Sequence, residues 1–260
     1  MASHDFLHRR AMEDVVDRLE TVTRDFPSAL FYGAGPLLSL LTPRCGVASV
    51  VSADFCAERA RSAPTSVVFD EERLPLADES LDLIVSILTL HAANDPVGAL
   101  AQMRRALKPD GLMLAVVFGE DTLSGMRSAL HAAEAEEAGR VSPRVIPFAG
   151  VRDWGNALQR AGFALPVVDL DRVFVRYERP QRLLEDLRGM GETSMLADRS
   201  GPLTRRSAAR FLAMLGAPAA VEFDLLTLTG WAPHDSQQKP LTPGSATRSL
   251  AAAVNAGDGS

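Results

Sequence analysis

The most constraining stretch of this chain is Ser28 to Leu41, read Ser-Ala-Leu-Phe-Tyr-Gly-Ala-Gly-Pro-Leu-Leu-Ser-Leu-Leu. Ser28 to Tyr32 has strand character, Gly33-Ala34-Gly35 is a tight turn, and Pro36 suits the first position of a helix. A strand that turns through glycines into a helix aims backbone N–H groups at whatever lies above it, a setting for the polar or anionic part of a ligand. Two glycines alone specify little, because many turns need them. Asp54 sharpens the signal. It stands 21 residues after Gly33, directly behind a second apolar run, Val47-Ala48-Ser49-Val50-Val51-Ser52. An acid at the end of a second strand can accept both ribose hydroxyls of a nucleoside.

Further strand patterns begin at Thr65, Leu81, Leu112, Val167 and Phe223, with helical patterns between them. Leu81 to Leu88 is a near-continuous apolar run, as a sheet buried on both faces requires. Strand alternating with helix predicts an α/β fold: a seven-stranded, mostly parallel Rossmann-like sheet whose last strand is antiparallel. Two helical stretches, Gln181 to Arg188 and Thr204 to Leu215, interrupt the final two strands and predict a helical insertion over residues 179–220. The chain of 260 residues suits one such domain, residues 1–249, followed by a disordered tail over 250–260.

Ser86, near the end of the fourth strand, stands where ligands collect in such sheets; Asp70 follows the third strand in an acidic loop, and His91 lies in the link after the fourth, a lone histidine of the kind that more often serves structure than catalysis. The remaining polar residues read as structure. His4 and His8 precede the core pattern and are expected to be solvated, as are Glu72 in a loop and Glu134, Glu136 and Glu137 on a helix. Cys45 and Cys56 have no partner motif and read as small buried hydrophobes in a reducing cytoplasm. No His/Asp/Glu set has metal-ligand spacing, so no metal ligand is named. The net charge of −6 argues against a nucleic-acid backbone as main partner. No apolar run approaches the length needed to span a bilayer. Arginine supplies 25 of the 27 basic residues, a skew expected of a GC-rich bacterial genome.

Turn, strand and acid together resemble the cofactor half of a class I S-adenosylmethionine-dependent methyltransferase. The resemblance implies S-adenosyl-L-methionine over Gly33 and Gly35, with Asp54 on its ribose and Asp70 near its adenine; Ser86 stands at the adjoining strand end, and His91 is the catalytic candidate. Methyltransferases of this class read Asp/Glu-x-Gly-x-Gly-x-Gly at the turn, which puts Phe31 in place of the acid and Leu37 in place of the third glycine. Phe31 cannot hold the ammonium of the cofactor's methionine end. Losing one charge-assisted partner costs about 1.5–3 kcal/mol, so the site is expected to be weakened or lost. Phe31→Asp with Leu37→Gly is expected to restore about 2–4 kcal/mol of affinity.

A narrower resemblance rests on blocks outside the turn: Leu107-Lys108-Pro109-Asp110-Gly111, Phe118-Gly119-Glu120-Asp121-Thr122-Leu123, Ser142-Pro143-Arg144-Val145-Ile146-Pro147-Phe148, Asp186-Leu187-Arg188-Gly189-Met190-Gly191-Glu192, Gly230-Trp231 and the late run from His234 to Thr247. In this order they resemble the methyltransferase-fold assembly factors of respiratory complex I and their bacterial relatives, from about Phe6 to Ser249. For the mitochondrial members the family implies hydroxylation of an arginine on a complex I subunit. Trp usually follows the histidine in that family, where this chain has Ala92. A looser resemblance is to the enzymes that methylate the malonyl thioester at the start of biotin synthesis. Three readings stay open: an S-adenosylmethionine-dependent methyltransferase acting on a protein client of complex I assembly, an arginine hydroxylase, and a non-catalytic assembly partner. The expected setting is the bacterial cytoplasm, with peripheral attachment to the inner membrane as the alternative.

Overall fold

The computed structural model describes residues 4–139, 141–196 and 201–238. Its strands are β1 (Ala29–Tyr32), β2 (Val50–Asp54), β3 (Thr65–Val68), β4 (Leu81–Ile87), β5 (Leu107–Phe118), β6 (Ala164–Tyr177) and β7 (Ala219–Trp231). They form one sheet in the order β3-β2-β1-β4-β5-β7-β6. Neighbours from β3 to β5 pair in parallel, and β7 runs antiparallel to both β5 and β6. This is the expected seven-stranded sheet. The order reverses between β1 and β4, which opens a crevice at the carboxyl ends of the strands.

Alternation along each strand divides the core. Phe31, Val85, Val116 and Phe223 face one side, under α1 (Phe6–Thr21) and α6 (Pro180–Met190), whose Leu7, Met12, Leu19, Leu183 and Leu187 close that layer. Leu30, Tyr32, Ile84, Met113 and Val117 face the other side, against α3 (Pro96–Ala106) and α5 (Val151–Arg160) through Leu100, Met103, Trp154 and Leu158. Period-two strands between two helical layers need apolar residues on both faces, hence the unbroken burial of β4.

The local differences from the sequence reading have physical causes. After Gly35 the chain makes only a six-residue 3₁₀ helix, Gly35–Leu40. Pro36 and Pro43 bracket it too closely for an α-helix to propagate. The helix after β2 is a single turn, α2 (Ala57–Ala60). β5 begins at Leu107 because Leu107 pairs with Leu81 ahead of an irregularity in the register; Asp110 there adopts a left-handed backbone. β6 starts at Ala164, ahead of the expected Val167, and every residue from Val167 to Tyr177 has a partner on β7. Two helices, α6 and α7 (Arg205–Leu215), fall between β6 and β7. The late run from Lys239 onward and residues 250–260 lie outside the described residues.

Two surface expectations change. Cys45 is buried but Cys56 is exposed. On α4 (Ser124–Ala138), Glu134 is buried rather than solvated and accepts two bonds from Arg144, at 3.1 and 2.6 Å.

Candidate functional site

A cleft of about 510 Å³ lies at the strand ends, lined by residues that include His8, Tyr32, Asp54, Arg59, Asp70, Glu71, Thr89, His91 and Glu192. It brings Asp54, Asp70 and His91 together. The strands deliver them: Asp54 ends β2, Asp70 follows β3, and His91 lies in the 3₁₀ turn Leu90–Ala92 after β4. Gly33 and Gly35 form the turn below. Gly33 is left-handed (φ +75°), and a Cβ there would meet the Ile87 carbonyl oxygen and the Thr89 side chain at 2.6 Å. Packing against the end of β4 therefore requires this glycine before any ligand does.

Asp54 is already engaged. One oxygen accepts from the Cys56 N–H at 2.8 Å and the other from Arg59 Nε at 2.8 Å, while Arg59 Nη2 reaches the Gly33 carbonyl at 2.7 Å. A carboxylate offers about four acceptor positions, so capacity remains for a ribose. Asp70 is exposed and accepts from the Glu72 N–H at 2.9 Å. Ser86 is fully buried, its hydroxyl 2.9 Å from Thr89 Oγ1, behind the cleft wall. Phe31 is 0% exposed in the layer under α1, and Leu37 packs in the same layer. The expected rescue by Phe31→Asp with Leu37→Gly thus meets a packed core: the new carboxylate would start inside it.

Three cleft residues were missed. His8 is buried, not solvated, and burial holds its imidazole down at about 4, with Arg59 adding repulsion. Its Nδ1 has no hydrogen-bond partner. The signal was available, since His8 continues the Met12, Val15, Leu19 stripe at helical spacing. His4 likewise is held, its Nδ1 2.7 Å from Asp186 Oδ1. Glu71 is buried; burial pushes its carboxyl up to about 7, against the opposing bond from Thr89 Oγ1 at 2.6 Å. Nothing in the run Asp70-Glu71-Glu72 distinguishes it. Glu72, expected to be solvated, accepts from the Asp95 N–H at 2.9 Å and from the Asn94 N–H, tying the loop after β3 to the one after β4. Glu192 is the third. Left-handed Gly191 ends α6, a bond from the Glu192 N–H to the Leu187 carbonyl (2.8 Å) closes the turn, and the Glu192 side chain swings into the cleft.

The His91 ring packs edge-on against Phe118 and Phe148, with centroids 4.9 and 5.7 Å away, and its Nε2 lies 3.3 Å from Glu192 Oε2. Beyond that pair lies a second cavity of about 190 Å³, lined by Phe118, Phe148, Phe223, Met126, Arg144, Arg188 and Glu192 among others. Glu192 borders both spaces. Elsewhere, Asp121, Glu222 and Asp224 are the set among the described residues whose ligand atoms lie close enough to share a cation. Arg172 stands at 3.3–3.6 Å from all three.

The residues present fit a nucleoside-bearing cofactor in part. Asp54 and Asp70 stand at neighbouring strand ends, and His8 and His91 each keep a buried Nδ1 without a partner. Phe31 stands where an acid would precede the glycine turn, and Arg59 reaches the Gly33 carbonyl there.

Sheet order and cleft position define a class I methyltransferase-fold protein. Residues 32–115 match the family model described as a methyltransferase domain. The YcgJ protein of Bacillus subtilis shares the fold, with a TM-score of 0.55 at 15% identity, covering 86% of this chain and 99% of that one. The arginine hydroxylase NDUFAF5 of Danio rerio is 35% identical over 96% of this chain and 82% of its own length. The Homo sapiens protein of the same name is 36% identical over 95% of this chain and 75% of its length. The malonyl-[acyl-carrier protein] O-methyltransferase of Laribacter hongkongensis is 32% identical over 78% and 72%. The chain belongs to the methyltransferase-fold family of the NDUFAF5 proteins. Among the described residues, no helix is long and apolar enough to cross a membrane.

Proposed function

We propose that this protein binds S-adenosylmethionine in the cleft and modifies a side chain of a protein client, the client being a subunit of respiratory complex I. One observation carries the reading: the cleft that gathers Asp54, Asp70 and His91 shares Glu192 as a lining residue with a second, largely apolar cavity. Asp54 is the ribose acceptor, Asp70 the group beside adenine, and Gly33 and Gly35 the floor. When bound, S-adenosylmethionine supplies an electrophilic methyl group. Residues of this chain would align the acceptor, and His91, oriented by Glu192, would hold a proton at Nε2. The turn without an acid, at Phe31 and Leu37, makes the site a weak one. From the insertion expected over residues 179–220, Met190, Gly191, Glu192 and Met195 line the cleft and would cover a bound ligand. The arginine-rich composition supports a bacterial source, and the setting proposed is the cytoplasm, with peripheral attachment to the inner membrane as the alternative.

A second reading is favoured by the 35–36% identity to proteins named arginine hydroxylases: the modification is hydroxylation of arginine. Calorimetry with S-adenosylmethionine tests the cofactor. A measurable heat that Asp54→Ala abolishes or weakens tenfold supports it. Absence of binding at millimolar cofactor would leave the non-catalytic assembly partner as the better account.

A further inference from the structure

Arg59 joins two acceptors at the glycine-turn end of the cleft. Its Nε donates to Asp54 Oδ2 at 2.8 Å and its Nη2 to the Gly33 carbonyl at 2.7 Å, so one guanidinium bridges the end of β2 and the turn after β1. Its backbone is held in place for this. The Arg59 N–H donates to the Cys56 carbonyl at 3.1 Å, and the Ser62 hydroxyl donates to the Arg59 carbonyl at 2.7 Å. A Cβ on Gly35 would come within 3.9 Å of Arg59 Nε, which puts the side chain over the turn itself. The Asp54 and Arg59 side chains are only 10% and 19% exposed. Among the described residues that line the cleft, Arg59 is the one arginine or lysine. His8 cannot share its charge, because burial first and Arg59 second lower its imidazole to about 4.

A carboxylate and a carbonyl turned toward one point form a place for a cation. An ammonium arriving from a ligand would find both acceptors taken by a guanidinium, and like charges that close repel. With Phe31 packed in the core, no carboxylate at that position compensates. Ribose hydroxyls are neutral and can use the acceptor positions left on Asp54, so Arg59 does not exclude them. We infer that Arg59 is the cleft's own replacement for a ligand ammonium: it fills the cation place between Asp54 and the Gly33 carbonyl, and the site therefore takes nucleosides whose 5′ tail gains nothing from an ammonium. The inference rests on the proposed nucleoside-cofactor reading and adds which part of that cofactor the site disregards.

The test uses the full chain and two probes that differ by the ammonium alone, S-adenosylhomocysteine and its deaminated analogue 4-(5′-adenosylthio)butyrate. Both are thioethers, so neither brings a sulfonium. Dissociation constants are read by equilibrium dialysis, following adenine absorbance. The parent protein should bind the two within about threefold of each other. Arg59→Gln, which vacates the cation place, should prefer S-adenosylhomocysteine by at least about tenfold, the scale of one charge-assisted partner. Arg59→Met keeps the aliphatic stem and is measured alongside, so the comparison stands if the glutamine variant does not fold. A tenfold preference for S-adenosylhomocysteine in the parent overturns the inference, because the place is then open to the ligand. Arg59 variants that bind both probes equally overturn it too. So do variants that lose both probes together, since Arg59 then meets the carboxylate that the probes share. Where the parent binds both probes and one of these patterns appears, only this inference fails. Where neither probe binds any of the proteins at millimolar concentration, the cofactor reading fails and this inference falls with it.

Discussion

The cleft and the cavity meet at Glu192, yet they are built of opposite materials. The cleft buries ionisable groups: His8 and Glu71 lie in its wall, and Asp54 and Arg59 pair at 2.8 Å across its floor. The cavity buries rings, and its strongest ion pair, Arg144 with Glu134, serves to pin the loop that carries Phe148. A site whose polar groups are partly unpartnered can reorganise around a polar ligand, whereas a ring-lined space selects by shape and by the few charges in its wall. The turn at Phe31 belongs to neither. It has become core.

The sharpest way to break this comparison is to return Phe31 to an acid. Phe31 has no exposed surface. Removing a fully buried phenylalanine costs about 3–5 kcal/mol, before the penalty for a buried carboxylate. Phe31→Asp should therefore lower stability in urea melts by at least about 4 kcal/mol and yield no gain in S-adenosylmethionine affinity. A stable variant that binds the cofactor more tightly would show that the position belongs to the cleft after all.

Next in size is the pH dependence that only the cleft should carry. Burial raises the Glu71 carboxyl from 4.5 to about 7, so its contribution to stability is fully present below pH 4.5 and is lost as the pH rises toward 7. Burial lowers the His8 imidazole from 6.5 to about 4, so its contribution is present above pH 6.5 and is lost as the pH falls toward 4. Each amounts to about 3 kcal/mol at about 1.4 kcal/mol per pH unit. Between pH 4.5 and 6.5 the two slopes oppose each other. Urea melts over this range should show Glu71→Gln gaining stability with rising pH relative to the parent, and His8→Leu losing it. Parallel profiles for all three proteins would mean that neither group is buried in the folded state.

Asp54→Ala comes third, with an expected loss of about 1.5–3 kcal/mol in cofactor affinity by calorimetry. Its carboxylate also holds Arg59 and the Cys56 N–H. Unchanged affinity would assign Asp54 to those two partners alone.

The same contrast explains what could be read from the sequence. The sheet was legible because β4 is unbroken apolar and the helical stripes between strands are clear. Asp54 and Asp70 were legible as positions, since a doubly wound sheet brings strand ends together whatever their residues. His8 was not, because a histidine near the start of a helix looks solvated until the stripe is followed back from Met12. Glu71 was not, because three consecutive acids give no hint of which one turns inward. The cavity was visible only through the blocks that include Arg144, Phe148 and Glu192, which a resemblance could flag but no periodicity could bring together. The insertion's helices were legible. That Gly191 would aim Glu192 at His91 depends on how α6 ends and packs.

Ser86 is the smallest and most discriminating case. Its place near the end of β4 made it a candidate ligand contact, and its fold position is the one expected. The hydroxyl, however, lies 2.9 Å from Thr89 Oγ1, and Thr89 in turn donates to Glu71 at 2.6 Å. Ser86 thus supports the residue that supports the acid. Ser86→Ala removes one neutral hydrogen bond and should cost about 1 kcal/mol of stability, while Thr89 keeps its bond to Glu71. Cofactor affinity measured by calorimetry should then change by less than about threefold, under 0.7 kcal/mol. A tenfold loss would instead place the Ser86 hydroxyl in contact with the ligand and would require Thr89 to rotate away on binding. That outcome would make the wall of the cleft a moving part, a property that the ring-lined cavity is not expected to share.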